Sequence, residues 1–200
     1  QGSAPTSIKQ GNVRIGLDAA IKDFKKKQGL SGSLTWNSFL ATSSAAGGLR
    51  MTVHGLVYDM TVKAAKEAAL GAGANIHQIS AGIMRQSDID QMIGIKPNII
   101  MIAGGVDYGE RETAIKNAMS IHNALILSKL NIPVIYAGNI ENKDELGDIF
   151  ADYRGKFAAV ENVYPRIDEL NIIPARRIIQ EIFEEHIIHA PGMEHIRDLV

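Results

Sequence analysis

The amino-acid sequence predicts an α/β fold: a doubly wound, Rossmann-like or flavodoxin-like parallel sheet of about five strands, with helical flanking segments. Two observations lead to this prediction. Between residues 50 and 165, short apolar runs alternate with helical patterns, and such alternation requires right-handed crossovers between parallel strands. The run at 98–103, Asn-Ile-Ile-Met-Ile-Ala, is almost continuously apolar, which is typical of a strand covered on both faces. We therefore expect this run to be the central strand.

The length and composition suit one large domain, or one domain with an appendage. The chain has 200 residues, of which 46% are hydrophobic, and this is enough to bury a substantial core. We expect a flanking helix and strand over residues 1–49, the parallel-sheet domain over 50–165, and a C-terminal helical segment over 166–200.

The first half of the chain is expected to form the flanking segment and the start of the sheet. Thr61 and Ser87 are candidate helix caps, and Gly71 and Gly73 are placed to end a helix. The predicted elements are, in order, a helix at 13–27, a loop at 29–37, a short strand at 38–41, a strand at 51–57, a helix at 61–70, a strand at 75–80 and a helix at 88–93.

The second half is expected to complete the sheet and to end in a helix. Asn131 and Pro133 end a long helix, and Pro174 opens the last one, whose apolar residues recur on one side. The predicted elements are a strand at 98–103, a helix at 110–130, a strand at 134–137, a helix at 142–152, a strand at 157–162 and a helix from 174.

Composition also argues against several functions. With 21 basic and 22 acidic residues the net charge is −1, so neither nucleic acid nor an anionic membrane is an expected partner. The absence of cysteine excludes disulfides and thiol catalysis, and it fits a reducing cytoplasm. His186 and His189 stand at helical spacing, but without further convergent ligands we predict no metal site. We predict no catalytic residues, and the Gly-x-Ser-x-Gly motif is absent.

The carboxyl ends of the predicted strands carry the main candidate site. Parallel strands end at one edge of a sheet, where ligands bind at the topological switch point. Loops with small or polar residues follow four strands there, including Ser80-Ala81-Gly82. Each residue also has a plain alternative role in forming its own turn. The candidates for binding a ligand or a partner are Gly104, Gly105, Asp107, Gly138, Asn139, Glu161 and Asn162.

A second candidate is the small-residue segment that precedes the first strand of the sheet. Gly47 and Gly48 permit close approach of another backbone, a phosphate or a partner, and Ser43, Ser44 and Arg50 are suited to hold an anion. The segment is not a Walker loop, because no Gly-Lys-Ser or Gly-Lys-Thr follows. Packing of small residues against another part of the chain is the alternative.

Several of these segments resemble the MutL-like accessory proteins of cobalamin-dependent glutamate (methylaspartate) mutase. The resemblance begins in the first sheet strand and the helix after it and covers nearly the whole chain. The segments that carry it are 56–74, Ala103-Gly104-Gly105-Val106-Asp107, Ala137-Gly138-Asn139, Glu161-Asn162-Val163-Tyr164-Pro165 and Ile187-Ile188-His189-Ala190. The resemblance implies a member of the actin-like ATPase superfamily, a chaperone-like factor that uses ATP and Mg²⁺ to maintain or reactivate the mutase, with the mutase subunits as partners.

The chain departs from that family's pattern in its nucleotide site. The Asp-x-Gly-Ser-Thr hairpin and the Asp-x-Gly-Gly-x-x-x-Asp loop of the family do not occur in these 200 residues. We therefore expect a fragment that holds no cofactor and has no ATPase activity by itself. Two other interpretations stay open: a domain that binds a small molecule or nucleotide over Gly105, Asp107 and Asn139, or a structural insertion.

Overall fold

A computed structural model describes residues 1–38, 49–69, 72–188 and 195–196. The chain divides into two compact units, one formed by Gly48–Phe183 and the other by Gln1–Gly47 with Glu184–Val200. In the second unit, α1 spans Val13–Gln28, one residue longer than predicted. Its first turn is capped by the Asn12 side chain, which accepts a hydrogen bond from the Arg14 amide at 2.9 Å.

The larger unit contains a parallel sheet, as the alternating pattern predicted. Within the described residues the sheet has five strands in the order β2-β1-β3-β4-β5, and every pairing is parallel. The strands are β1 (Leu49–Gly55), β2 (Ala74–Ala81), β3 (Ile99–Ile102), β4 (Val134–Tyr136) and β5 (Phe157–Ala159). All four residues of β3 are fully buried, so the prediction that this apolar run forms the central strand is confirmed.

Helices cover both faces of this sheet. They are α2 (Tyr58–Ala69), α3 (Gln86–Ile95), α4 (Glu112–Ser128), α5 (Lys143–Ile149) and α6 (Ile173–Ile188). Ile99 and Met101 of β3 pack into the core beneath α2 and α6. Ile100 and Ile102 pack into the opposite core beneath α3, α4 and α5. This alternation along one strand is what a doubly wound fold requires. Among the helices that the structure describes, none is long and apolar enough to cross a bilayer.

Several predicted boundaries were wrong for local reasons. The strand predicted to reach Val57 ends at Gly55, whose carbonyl accepts a hydrogen bond from the Gly82 amide of the neighbouring loop. As a result α2 begins at Tyr58, and Thr61 lies inside the helix instead of capping it. Ser87 lies inside α3, because the Asp88 carboxylate accepts from the Arg85 amide at 2.8 Å and starts the helix earlier.

The later boundaries differ in the same way. The helix predicted at 142–152 is a 3₁₀ turn, Ile140–Asn142, followed by α5. The strand predicted to reach Asn162 ends at Ala159; beyond it the Val160 amide donates to the Tyr136 carbonyl and the Val163 amide to the Ala137 carbonyl, with Glu161 and Asn162 between these two bonds. The strand predicted at 38–41 falls largely outside the described residues, and Ser38 itself has no regular structure.

Candidate functional site

The loops that leave the carboxyl ends of the strands lie along one edge of the sheet. We call this surface the carboxyl edge and define it as residues 56–60, 82–88, 103–113, 137–145 and 160–171. The candidate residues after β3, β4 and β5 lie on it, from Gly104 to Asn162. The loops touch one another, so residues more than 50 positions apart in sequence become neighbours, as for Asn162 and Gly105.

Asn139 is the central residue of this edge and has no solvent exposure. Its Oδ1 accepts hydrogen bonds from the amides of Tyr108 and Glu141, both at 3.1 Å. Its Nδ2 donates to the carbonyls of Gly109 at 3.2 Å and Glu110 at 3.4 Å. An asparagine amide offers two donors and two acceptor positions, so this side chain is fully used by the loops after β3 and β4.

Asp107 and Asn162 extend the same network to the loop after β5. The Asp107 carboxylate accepts from the Ile140 amide and from Asn162 Nδ2, both at 2.9 Å. Asn162 Nδ2 also donates to the Gly105 carbonyl at 3.0 Å, and Asn162 Oδ1 accepts from the Tyr164 amide at 2.9 Å. Three loops are therefore held together by side-chain hydrogen bonds, most of which are buried or half-buried, and we call Asp107, Asn139 and Asn162 the loop network.

Gly104 and Gly105 have backbone angles that disfavour any side chain. Their φ values are +139° and +73°. A Cβ at Gly104 would lie 2.6 Å from the Leu56 amide nitrogen, and one at Gly105 would lie 2.6 Å from the Glu110 carbonyl oxygen. These glycines let the loop after β3 approach its neighbours closely. The fold therefore requires glycine at both positions, independently of any role in binding.

The loop network agrees with the turn-forming alternative for these residues. The side-chain groups expected to orient a ligand already bind backbone groups of adjacent loops. Gly138 belongs to the same close packing, because a Cβ there would lie 2.7 Å from the Gly104 carbonyl oxygen. Glu161 accepts from Asn171 Nδ2 at 3.1 Å. Direct ligand binding by these residues stays a prediction.

Of the candidate residues at the start of β1 and before it, the structure describes only Arg50. Ser43, Ser44, Gly47 and Gly48 lie outside the described residues. Arg50 is exposed in the second position of β1, at the amino end of the strand, and its amide donates to Asn98 Oδ1 at 3.0 Å.

An apolar cleft lies between the loops after β1 and β3, where the chain order reverses and parallel sheets bind their ligands. Its volume is about 220 Å³. The residues that line it are Leu56, Val57, Met60, Ala64, Ala103, Gly104, Gly105, Val106, Glu110, Val163, Tyr164 and Ile167. A wider, open groove of about 500 Å³ runs beside β2 and α2, on the flank of the sheet and not across its strand ends.

Large apolar side chains are exposed along the whole carboxyl edge. Tyr108 after β3 is 77% exposed and Ile167 after β5 is 79% exposed. The others are Val57, Tyr58, Ile83 and Ile140. Each loop that follows a described strand therefore presents at least one large apolar side chain to solvent. Exposed apolar groups gathered on one surface are typical of sites that contact other molecules.

Sequence reasoning missed a buried histidine beneath this edge. His54 in β1 has no solvent exposure, and its ring nitrogens lie 2.7 Å from Ser80 Oγ and 3.2 Å from Thr52 Oγ1. Burial lowers the pKa of His54 to about 4, so the ring is neutral at pH 7. The signal was the alternation of polar residues, Arg50, Thr52 and His54, with apolar residues along β1.

A metal ion and a nucleotide phosphate each need particular groups from the protein. Among the described side chains, no three His, Asp or Glu residues are grouped to hold a metal ion, and His189 lies outside them. Three backbone amides of the carboxyl edge, those of Tyr108, Ile140 and Thr113, already donate to the side chains of Asn139, Asp107 and Glu110, so these three are not free to bind a phosphate. Nucleotide binding elsewhere along the edge stays a prediction.

Fold and site together define a doubly wound α/β domain in which side-chain hydrogen bonds hold together an exposed carboxyl edge that carries several large apolar side chains. The model of the family described as MutL protein matches residues 1–200, and the chain belongs to this family. It is 36% identical over 195 residues to Protein MutL of Clostridium tetanomorphum, in an alignment that covers 96% of this chain and 40% of that protein. The chain therefore spans less than half the length of this curated relative.

Two solved structures show a distant likeness. One is the methanol:cobalamin methyltransferase complex MtaBC of Methanosarcina barkeri, with a TM-score of 0.49, 12% identity, and coverage of 93% of this chain and 60% of that chain. The other is a transiently phosphorylated switch of bacterial signal transduction, with a TM-score of 0.39, 12% identity, and coverage of 70% and 97%. At this level of similarity neither carries a functional conclusion.

Proposed function

We propose that this chain is the α/β portion of an ATP-dependent accessory factor that maintains or reactivates a cobalamin-dependent glutamate mutase, and that its carboxyl edge contacts the mutase. Membership of the MutL family and the resemblance of the sequence motifs support the first part. In this proposal the chain acts by conformational work on its partner, without substrate chemistry of its own.

The exposed apolar side chains of the carboxyl edge are the observation that carries the second part. They come from every loop that follows a described strand, so they form a surface and not a single exposed residue. The loop network holds three of these loops in fixed positions before any partner arrives. A surface that is ordered in advance loses less conformational entropy when it binds.

ATP and Mg²⁺ belong, in this proposal, to parts of the longer protein outside these 200 residues. The family's two phosphate-binding motifs are absent from the sequence, and the Tyr108 and Ile140 amides of the carboxyl edge are occupied by side chains. Phosphoryl transfer depends on positioned phosphate-binding groups and metal ligands. The 200-residue chain by itself is therefore expected to show no ATP turnover.

The contact face is tested in the full-length protein with the Tyr108→Ser and Ile167→Ser variants. Leu127→Ser is the matched control, because Leu127 is 84% exposed on α4, away from the carboxyl edge. Binding to the mutase is measured by surface plasmon resonance, and ATP-dependent recovery of inactivated mutase is measured in parallel.

The edge variants should bind at least tenfold more weakly and lose most of the recovery, whereas Leu127→Ser should behave like the parent protein. Thermal melting first establishes that each variant is folded. If all three variants bind the mutase as tightly as the parent protein does, the mutase contacts another surface.

A further inference from the structure

The cleft between the loops after β1 and β3 has the size and lining of a socket for a side chain. We infer that it receives an apolar side chain of the mutase, presented by a segment whose neighbouring residues are basic. This inference rests on the proposed function, because the partner it describes is the mutase that the carboxyl edge is proposed to contact. Three observations support it: the volume of the cleft, its apolar lining and the charge around it.

The volume argues against a nucleotide or another cofactor as occupant. Pockets for small-molecule ligands and cofactors usually measure roughly 300–1,000 Å³. The cleft holds about 220 Å³, which is below this range and is sufficient for one or two side chains. A partner side chain that fills such a socket is the arrangement found at the energetic centre of many protein interfaces.

The lining is almost entirely apolar and is fixed in position. Val163, Ala103 and Ala64 are each at most 3% exposed and form the buried part of the wall. Gly104 lies at the meeting of the two loops, where a Cβ would come within 2.6 Å of the Leu56 backbone. An apolar side chain gains by leaving water here.

Charge is distributed very unevenly over the chain. The carboxyl edge, residues 56–60, 82–88, 103–113, 137–145 and 160–171, contains eleven acidic and four basic residues, a formal charge of −7. The whole chain carries −1, so the remainder carries +6. Two of the four basic side chains, Arg111 and Arg166, pair with the nearby carboxylates of Glu145 and Glu169 at 3.4 Å.

Some of the acidic residues of the carboxyl edge have a local structural role, and others do not. Carboxylates near helix N-termini stabilise the helix dipole, and Glu112 also pairs with Lys116. Asp168, however, lies in the loop after β5 and precedes no helix directly, and it is exposed beside the cleft residue Ile167. Two residues that do have such a local role also lie at or next to the cleft: Glu110 lines it and accepts from the Thr113 amide of α4, and Asp59, in the first turn of α2, precedes the lining residue Met60. Basic residues of the partner would pair favourably with these acidic residues around the cleft.

The socket is tested with the full-length protein and the intact mutase by surface plasmon resonance at 50 mM and 300 mM salt. Salt screens the interaction between exposed charges over a shorter distance at the higher concentration. Val106→Phe places extra apolar volume in the cleft without adding charge. Asp59→Asn with Asp168→Asn removes two charges beside it, and asparagine tolerates the left-handed φ of +60° at position 168. Asp148→Asn with Glu181→Gln removes two exposed charges elsewhere and is the control.

Val106→Phe should raise the dissociation rate constant at least tenfold with an unchanged melting temperature. Asp59→Asn with Asp168→Asn should lower the association rate constant about three- to tenfold at 50 mM salt, with a smaller effect at 300 mM. The control pair should leave both rate constants unchanged.

The possible failures are distinguishable. If Tyr108→Ser weakens binding but Val106→Phe does not, the carboxyl edge is the contact face, and the inference that the cleft receives a side chain of the mutase is wrong. Equal effects of the two charge pairs would mean that the mutase does not present basic residues at this cleft. Absence of any binding by the parent protein would overturn the proposed function and this inference together.

Discussion

Acidification tests the buried histidine beneath the carboxyl edge. His54 is enclosed by Ser80 and Thr52 and has no solvent exposure, and burial lowers its pKa from 6.5 to about 4. The nearby Asp88 carboxylate opposes this shift but does not cancel it. The folded protein therefore keeps the ring neutral at pH values where the unfolded chain already binds a proton.

The sign of the effect follows from this difference in proton binding. Between pH 6.5 and about 4 the unfolded chain holds one proton more at His54 than the folded chain does. The contribution to stability is therefore complete above pH 6.5, and it is lost progressively as the pH falls towards 4. Each pKa unit corresponds to 1.36 kcal/mol, so the total loss at His54 is about 3 kcal/mol.

The measurement is urea unfolding of the parent protein and of His54→Gln, followed by circular dichroism at several pH values between 7.5 and 4. Glutamine offers Ser80 and Thr52 a hydrogen-bonding group that does not titrate, and the other titrating groups are common to both proteins. The parent should be the more stable protein at pH 7.5, and this advantage should shrink by about 3 kcal/mol by pH 4. Parallel pH profiles for the two proteins would refute the assignment of a depressed pKa to His54.

Three further predictions concern the sheet and its edge, each measured by urea unfolding or thermal melting. Asn139→Ala removes four half-buried hydrogen bonds and should lower the free energy of unfolding by about 3 kcal/mol; a loss below about 1 kcal/mol would show that the loops do not depend on it. Gly105→Ala should lower the free energy of unfolding by about 2 kcal/mol, because φ is +73° and the new Cβ meets the Glu110 carbonyl. Gly147→Ala is the control and should not be destabilising, because the space around Gly147 is open. Ile100→Asp buries an unpaired charge in the central strand and should abolish cooperative folding, so a soluble variant with a sharp melting transition would contradict the prediction.

The α/β class and the central strand were predictable because both depend on patterns along the chain. Four consecutive apolar residues from Ile99 to Ile102 have no hydrophilic face, and only a strand covered on both sides accommodates them. The placement of the loops after β3, β4 and β5 on one edge was predictable as well, because parallel strands must end on the same side.

The role of each polar residue on that edge was not predictable, because it depends on loops that are distant in sequence. Asn139 and Asp107 are ordinary turn residues when read locally, and their partners lie about 30 residues away. The extents of β5 and α2 were also misjudged, since the strand ends at Ala159 and the helix begins at Tyr58.

The tertiary structure alone decided which apolar residues face solvent and which polar residues are buried. Tyr108 and Ile167 are exposed although both are large and apolar, and His54 is fully enclosed although it is polar. Hydrophobicity assigns each residue an average preference for the interior. The actual position depends on which neighbouring elements cover it, and that is settled only when strands and loops from the whole domain are brought together, because burial is a property of the packed surface and not of the single residue.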